Sequence, residues 1–272
     1  MEQGATGSIE DQQNLHLQLL VGTGLDAGIP QGYQSNEDSV FAIQGTQTYK
    51  GRLQPFGVFI VADGIGDHEY GAEASNLALR VMSNSIVPFL LGNAALGQDA
   101  LFELLISGVQ RANEVLYRYN VQEHTHIGTT VTSVLISGST AYVVNVGNSR
   151  TYLFREPNTL SQVTRIHSVI TPFEGGITPS SHLNRHSQRR QLEHYLGEKA
   201  TVQVDTFTLS LKKGDKLLLC SDGLWEMVRD PDLEQIMRVP VNVPAQVVEM
   251  LIQAALKEGG RDNISVIVAF LS

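Results

Sequence analysis

The order of elements along the chain predicts an α+β fold, a layered sandwich and not a doubly wound parallel sheet. Helical patterns arrive in pairs between groups of strand-like runs, without strict β-α alternation. Within the groups, short turns join runs rich in β-branched residues, which makes antiparallel pairing the natural arrangement.

Taken in order, residues 1–14 are polar and acidic and read as a flexible tail. Apolar runs predict strands over 15–22, 39–44 and 56–62, the third buried on both faces, with 45–54 as a polar hairpin connection. Two amphipathic helices follow. Ala74, Leu77, Val81 and Ser85 share one face of the first; Leu101, Leu105, Val109, Ala112 and Leu116 share one face of the second. Pro88 and Gly92 punctuate the gap between them. Strands are expected over 129–136, 141–146 and 150–154, the first two joined by a turn at Ser137-Gly138-Ser139. Residues 166–190 lack apolar periodicity and carry two glycines and two prolines, so they read as a surface flap. Order resumes with strands over 202–209 and 216–221 around a turn at Lys212-Lys213-Gly214-Asp215. A short helix over 232–237 and a longer one over 244–256, with proline in its first turn, precede a last strand over 264–271. No repeat of fixed period is present, and residues 15–272 are read as a single domain.

Four carboxylates begin or end these apolar runs: Asp38, Asp63, Asp222 and Asp262. Two contexts read almost alike, Phe56-Gly-Val-Phe-Ile-Val-Ala-Asp63-Gly64 and Leu217-Leu-Leu-Cys-Ser-Asp222-Gly223. A strand ending in Asp-Gly holds its carboxylate at the sheet edge, and the glycine permits a sharp turn and a close approach. A single Asp-Gly is ordinary turn chemistry. Four acidic strand ends converging on one place would repel one another unless a cation neutralised them, which points to a hard-metal site.

A net charge of −9 argues against nucleic-acid binding, which calls for a basic face. The chain is 42% apolar and 17% charged, ordinary for a soluble globular protein. Cys220 is the single cysteine, inside an apolar run, so no internal disulfide is possible and a buried structural thiol is expected. No apolar run approaches the roughly 18–20 residues that span a bilayer, and the N-terminus shows no signal pattern, so the expected compartment is the cytoplasm.

With these residues in view, the chain resembles the metal-dependent serine/threonine protein phosphatases of the type 2C family, in their bacterial branch. The matching segments are Asn36-Glu37-Asp38, Val61-Ala-Asp-Gly-Ile-Gly66 with His68, Gly71 and Ser75, Gly128-Thr129-Thr130, Asn145-Val-Gly-Asn-Ser-Arg150, Cys220-Ser-Asp-Gly-Leu-Trp225 and Arg261-Asp-Asn-Ile264. They run in the family's order through most of the chain. The resemblance implies a four-layer α-β-β-α sandwich, two antiparallel sheets flanked by helix pairs, and a monomer acting on phosphorylated protein substrates opposite a serine/threonine kinase. It implies two Mg2+ or Mn2+ ions, for which oxygen ligands are suited. Asp63 would bridge them, Asp222 and Asp262 would hold the first, the Gly64 carbonyl would help hold the second, and Asp38, with Glu37 beside it, would act directly or through water. Two such cations ~4 Å apart lower the pKa of a shared water that attacks phosphorus in line. His68 stands where the family carries a histidine thought to protonate the leaving alkoxide; otherwise it is a surface-loop histidine.

The chain departs from the family at several points. Tyr33 stands in place of an arginine that grips the substrate phosphate, offering one neutral hydrogen bond instead of a charged fork. Gln34 or an arginine from elsewhere would have to compensate. Asn148 replaces an aspartate that contributes to a third, weaker metal, so that site is expected to be weak or absent. Asp67 replaces a glycine beside His68, and Ile166 replaces an aspartate. Arg185, His186, Arg189 and Arg190 read as a solvated basic run, or as the source of the missing phosphate grip. His124 and His126 lack the acidic spacing of ligands. Three functions are therefore weighed: an active phosphoprotein phosphatase, a catalytically weak or inactive phosphatase-like sensing module, and a hydrolase of small phosphate esters. All four carboxylates being present favours the first.

Overall fold

Alternation along single strands decides how the layers stack. In the computed structural model, which describes residues 17–29, 35–49, 51–66, 69–92, 97–157, 159–164 and 194–272, strand β3 (Arg52–Ile65) is buried on both faces from Pro55 to Ala62. Its Val58, Ile60 and Ala62 point one way, its Phe59 and Val61 the other. The first set packs on helices α1 (Glu69–Gly92) and α2 (Gln98–Glu123), against Ala74, Ala78, Met82, Leu105, Val109 and Leu116. The second set meets a facing sheet. There β10 (Lys216–Cys220) and β11 (Ile264–Leu271) supply Leu217, Leu219, Ile267, Ala269 and Leu271. The alternate residues of those strands, Leu218, Cys220, Val266, Val268 and Phe270, turn outward. They meet the one-turn helix α3 (Asp222–Trp225) and helices α4 (Asp230–Arg238) and α5 (Pro244–Lys257). Three apolar interfaces thus separate four layers, α-β-β-α, as expected.

Both sheets are antiparallel. One has the order β1-β11-β10-β7-β8, where β1 is Leu19–Asp26, β7 is Arg150–Phe154 and β8 is Leu160–Gln162. The other runs β2-β3-β5-β6-β9, formed by β2 (Asp38–Tyr49), β5 (Val131–Ser137), β6 (Thr140–Val146) and β9 (Asp205–Ser210), and the short β4 (Gly128–Thr129) pairs with the end of β3. The expected face of α2 is buried throughout, whereas on α1 only Ala74 of the expected set is: the core stripe runs through Ala74, Ala78, Met82, Ile86 and Leu90, and Leu77, Val81 and Ser85 flank it half-buried.

Four expectations need correction. The polar stretch 45–54 is not a loop: β2 and β3 stay paired from Gly45↔Phe56 out to Tyr49↔Arg52 as a ribbon with exposed positions such as Leu53. Strand pairing needs no apolar face when both sides of a ribbon are wet. The first strand lies later than 15–22, because its bounds follow its partner, Leu19↔Leu271 to Asp26↔Ile264. Helix α1 continues through Pro88 to Gly92. A proline removes one hydrogen bond near the helix end, while buried Ile86 and Leu90 keep that last stretch on the core. Strand β8 and helix α3 lie in stretches that sequence periodicity did not mark, being three and four residues long. The tail (residues 1–14) and the flap (166–190) lie outside the described residues. No described helix is long and apolar enough to cross a membrane.

Candidate metal centre

The four carboxylates come to one edge of the sandwich because each stands at or near the point where a strand of one sheet or the other begins or ends. Asp38 opens β2 and lies opposite Asp63 in the β2–β3 register. Asp222 follows β10 as the first residue of α3, and Asp262 stands two residues before β11, the strand paired with β10. Both Asp-Gly steps are enforced by close backbone approach. A Cβ on Gly64 would overlap the Gly71 and Glu37 carbonyls, and one on Gly223 would overlap the Asn263 carbonyl. Glu37 does not join the cluster in the same way. Its side chain lies over Gly71, where any Cβ would strike it, so it packs against the first turn of α1.

The cluster is electrostatically strained. Burial pushes the Asp38 carboxyl up to about 8, helped by repulsion from Asp222 and Asp262 and opposed by hydrogen bonds from Ser265 and Ser221. Burial also raises Asp63 well above the usual carboxylate range, with Asp222, Asp38 and Asp262 adding repulsion. Asp222 is pushed to about 7 by burial and by Asp262 and Glu226, against hydrogen bonds from Asn148 and Asp63. Repulsion between Asp63 and Asp222 adds to the rise at Asp63, so burial and crowding together favour protonated carboxyls here. Carboxyls driven toward protonation at neutral pH are a site prepared for cations. The donors are oxygens, as Mg2+ and Mn2+ require. Among the described residues no three His, Cys, Asp or Glu side chains close around one point. The cluster is therefore looser than a closed cage of three carboxylates, and waters and backbone carbonyls would complete the shell of an ion here. The residues fit such ions on these terms.

Uncharged residues hold the carboxylates in place. The Asp63 amide donates to Thr130 Oγ1 (3.3 Å), and its carbonyl accepts from Thr129 Oγ1 (2.8 Å) and the Thr130 amide (2.9 Å). Asn36 Oδ1 accepts from the Asp38 amide at 2.9 Å, and Asn263 Oδ1 accepts from the Glu37 amide at 2.7 Å. Asn148 Nδ2 donates to Asp222 Oδ2 (2.8 Å), and Trp225 Nε1 donates to the Asn148 carbonyl (3.1 Å). Arg150 stacks on Trp225 with its guanidinium carbon 3.6 Å from the ring centroid and donates to Tyr152 Oη at 2.7 Å. It is thereby a brace behind the site. Sequence reading gave Thr129, Thr130, Asn263, Ser221 and Ser265 no role. The available signal was a polar residue inside a buried apolar strand, as Ser265 is within Ile264–Leu271.

Of the expected site residues, Asp38, Asp63, Gly64, Asp222 and Asp262 share this edge. Tyr33, Gln34, Asp67, His68, Ile166 and the basic run 185–190 lie outside the described residues. His124 ends α2 in the left-handed conformation, its φ of 54° closing the helix through its amide to the Asn120 carbonyl.

A family model described as "Protein phosphatase 2C" matches residues 28–174, which include Asp38, Asp63 and Asn148. The chain is 34% identical over 215 residues to the serine/threonine phosphatase stp of Listeria welshimeri, covering 78% of this chain and 83% of that protein. The chain belongs to the protein phosphatase 2C family. It is 31% identical over 240 residues to the serine/threonine protein phosphatase PstP of Mycobacterium tuberculosis, over 86% of this chain and 42% of that longer protein. The crystal structure of the Mycobacterium tuberculosis serine/threonine phosphatase PstP/Ppp superposes with a TM-score of 0.72 at 29% identity, covering 94% of this chain and 100% of that one. A structure of the PstP catalytic domain in complex with two manganese ions gives a TM-score of 0.72 at 28% identity, over 94% of this chain and 99% of that one.

Proposed function

We propose that this family member hydrolyses phosphoserine and phosphothreonine in proteins, using two Mg2+ or Mn2+ ions. The observation that carries the reading is the gathering of Asp38, Asp63 and Asp222, all with carboxyls raised above their ordinary range, at one sheet edge beside Asp262. Asp63 would bridge the ions, Asp222 and Asp262 would hold one, and Asp38 and the Gly64 carbonyl would serve the other. Bound there, such ions supply a water of lowered pKa and neutralise phosphoryl oxygens. The protein's part is to deliver ionised carboxylates in fixed positions. Thr129, Thr130, Asn148, Ser221 and Ser265 do so by donating or accepting around them. His68 is assigned as proton donor to the leaving alkoxide, and Tyr33 with Gln34 as weak phosphate contacts. Asn148, already donating to Asp222, leaves a third ion without a charged ligand at that position.

In this reading residues 15–272 form one catalytic domain with a flap at 166–190. The protein acts as a cytoplasmic monomer opposite a serine/threonine kinase. The test is hydrolysis of p-nitrophenyl phosphate and of a phosphothreonine peptide in EDTA, Mg2+ and Mn2+. Turnover that requires metal supports the reading. Folded protein without turnover in any metal overturns it in favour of a phosphatase-like sensing module.

A further inference from the structure

Asp38 reaches the site from the sheet that carries β2, yet its side chain is held by the opposite sheet. Its Oδ2 accepts a hydrogen bond from Ser221 Oγ at 2.7 Å and another from Ser265 Oγ at 2.6 Å. Both serines are fully buried, and Asp38 itself is 7% exposed. Ser221 follows β10 and Ser265 lies in the neighbouring β11; the Ser221 amide donates to the Ser265 carbonyl at 3.2 Å, which sets their spacing. The Ser265 amide donates to Ser221 Oγ at 3.0 Å. That bond occupies an acceptor lone pair of Ser221 and aims its single proton outward. The proton has two acceptors in range, the Asn263 carbonyl at 3.4 Å and Asp38 Oδ2 at 2.7 Å. The shorter contact to a carboxylate dominates.

We infer that Ser221 and Ser265 are positioning residues that lock Asp38 as a one-oxygen ligand. Two donors on Oδ2 fix the carboxylate plane and leave Oδ1 as the oxygen free for a cation or a cation-held water. The lock spans the two sheets, so the position of Asp38 relative to Asp222 follows from backbone geometry and not from a free rotor. The inference rests on the two-ion reading above. Groups that orient a ligand typically alter metal affinity by about 10–100-fold when removed.

The experiment is calorimetric titration of the full-length protein with Mn2+ alone, without substrate, comparing wild type with Ser221→Ala, Ser265→Ala and Ser265→Thr. The expected result is a rise in Mn2+ Kd of about tenfold in each alanine variant. Ser265→Thr keeps the hydroxyl while disturbing the packing at least as much, so it should bind more tightly than Ser265→Ala. Alanine variants that bind Mn2+ as wild type does overturn the lock while leaving the two-ion reading intact. A threonine variant as weak as the alanine one also overturns it, by showing that packing and not the hydroxyl is responsible. Wild type that binds no Mn2+ overturns the two-ion reading and the lock with it.

Discussion

Midway along the sandwich, Phe59, Val61, Leu219 and Ile267 meet between the sheets with no exposure to solvent. A few residues away stand Asp63 and Ser265 on two of the same strands, and Asp222 just past the end of β10. One set of strands thus builds two regions under opposite rules. In the middle, removing water from apolar side chains is the dominant source of stability. At the edge, removing water raises the energy of each carboxylate, and the cluster is tolerated only because protons, hydroxyl donors or cations compensate. The edge is held together by the middle: the strands must align for apolar reasons before the carboxylates can be forced together.

Asp63→Asn should have the largest effect, and of opposite sign on activity and on stability. Activity falls to background, because the carboxylate that faces Asp38 across the β2–β3 register is lost. The fold does not suffer. An amide is neutral without taking up a proton, so the variant escapes the cost of protonating a buried carboxyl and should melt higher in EDTA at neutral pH, by ~2–4 °C for each kcal/mol relieved. A variant that melts lower than wild type in EDTA, or that retains turnover, would show that Asp63 is not at the centre of the strain.

Phe59→Ala is the converse. A fully buried ring between the sheets is removed, which should lower stability by about 3–5 kcal/mol. Below its melting temperature the variant should retain most of the wild-type kcat, since nothing at the edge is altered. Denaturant unfolding beside metal-activated turnover checks both halves; loss of kcat in a folded variant would mean the two regions are less separable than described.

The middle was legible in the sequence and the edge only in part, for physical reasons. Strands such as 150–154 and 264–271 are apolar, β-branched and bounded by turns, so their sequence states both their period and their ends. The Asp-Gly steps were legible because only glycine allows the backbone contacts at Gly64 and Gly223. What the sequence could not state was register across long separations. That Ser221 and Ser265 would close on Asp38, about 180 and 230 residues away along the chain, depends on how two sheets stack. The β2–β3 ribbon was missed because its pairing is carried by backbone groups, which have no signature in side-chain hydropathy.

The pH dependence of stability should separate the two regions without any mutation. The folded-state carboxyls of Asp38 and Asp222 titrate at about 8 and about 7, above the value near 4 of an unfolded chain. The folded protein therefore holds more protons than the unfolded one in this window, and stability falls as pH rises. At about 1.4 kcal/mol per pH unit for each carboxyl still protonated, the loss in EDTA between pH 5 and pH 8 should be on the order of 5 kcal/mol. It should level off only about a pH unit above the Asp38 value, once that carboxyl is ionised in the folded protein too. Saturating Mn2+ should flatten the slope, because the ions take the place of the protons. A slope of opposite sign in EDTA would mean the carboxylates are compensated by something other than protons.

The smallest expected effect is at Asn148, and it sharpens the comparison at a single contact. Its Nδ2 donates to Asp222, while its Oδ1 is buried with no partner among the described residues. Asn148→Asp exchanges that donor for a charge. In EDTA at pH 8 the protein should lose about 1.5–3 kcal/mol from the missing hydrogen bond to a charged group, with added repulsion beside Asp222. In Mn2+ the sign should reverse: a further, weaker equivalent of Mn2+ should bind, and the variant should regain the stability it lost. Calorimetric titration counts the ions and melting in the two buffers gives the signs. An unchanged ion count would mean that the neutral amide is not what limits metal binding beside Asp222, and that the site's capacity is set by the backbone positions of the four strand ends.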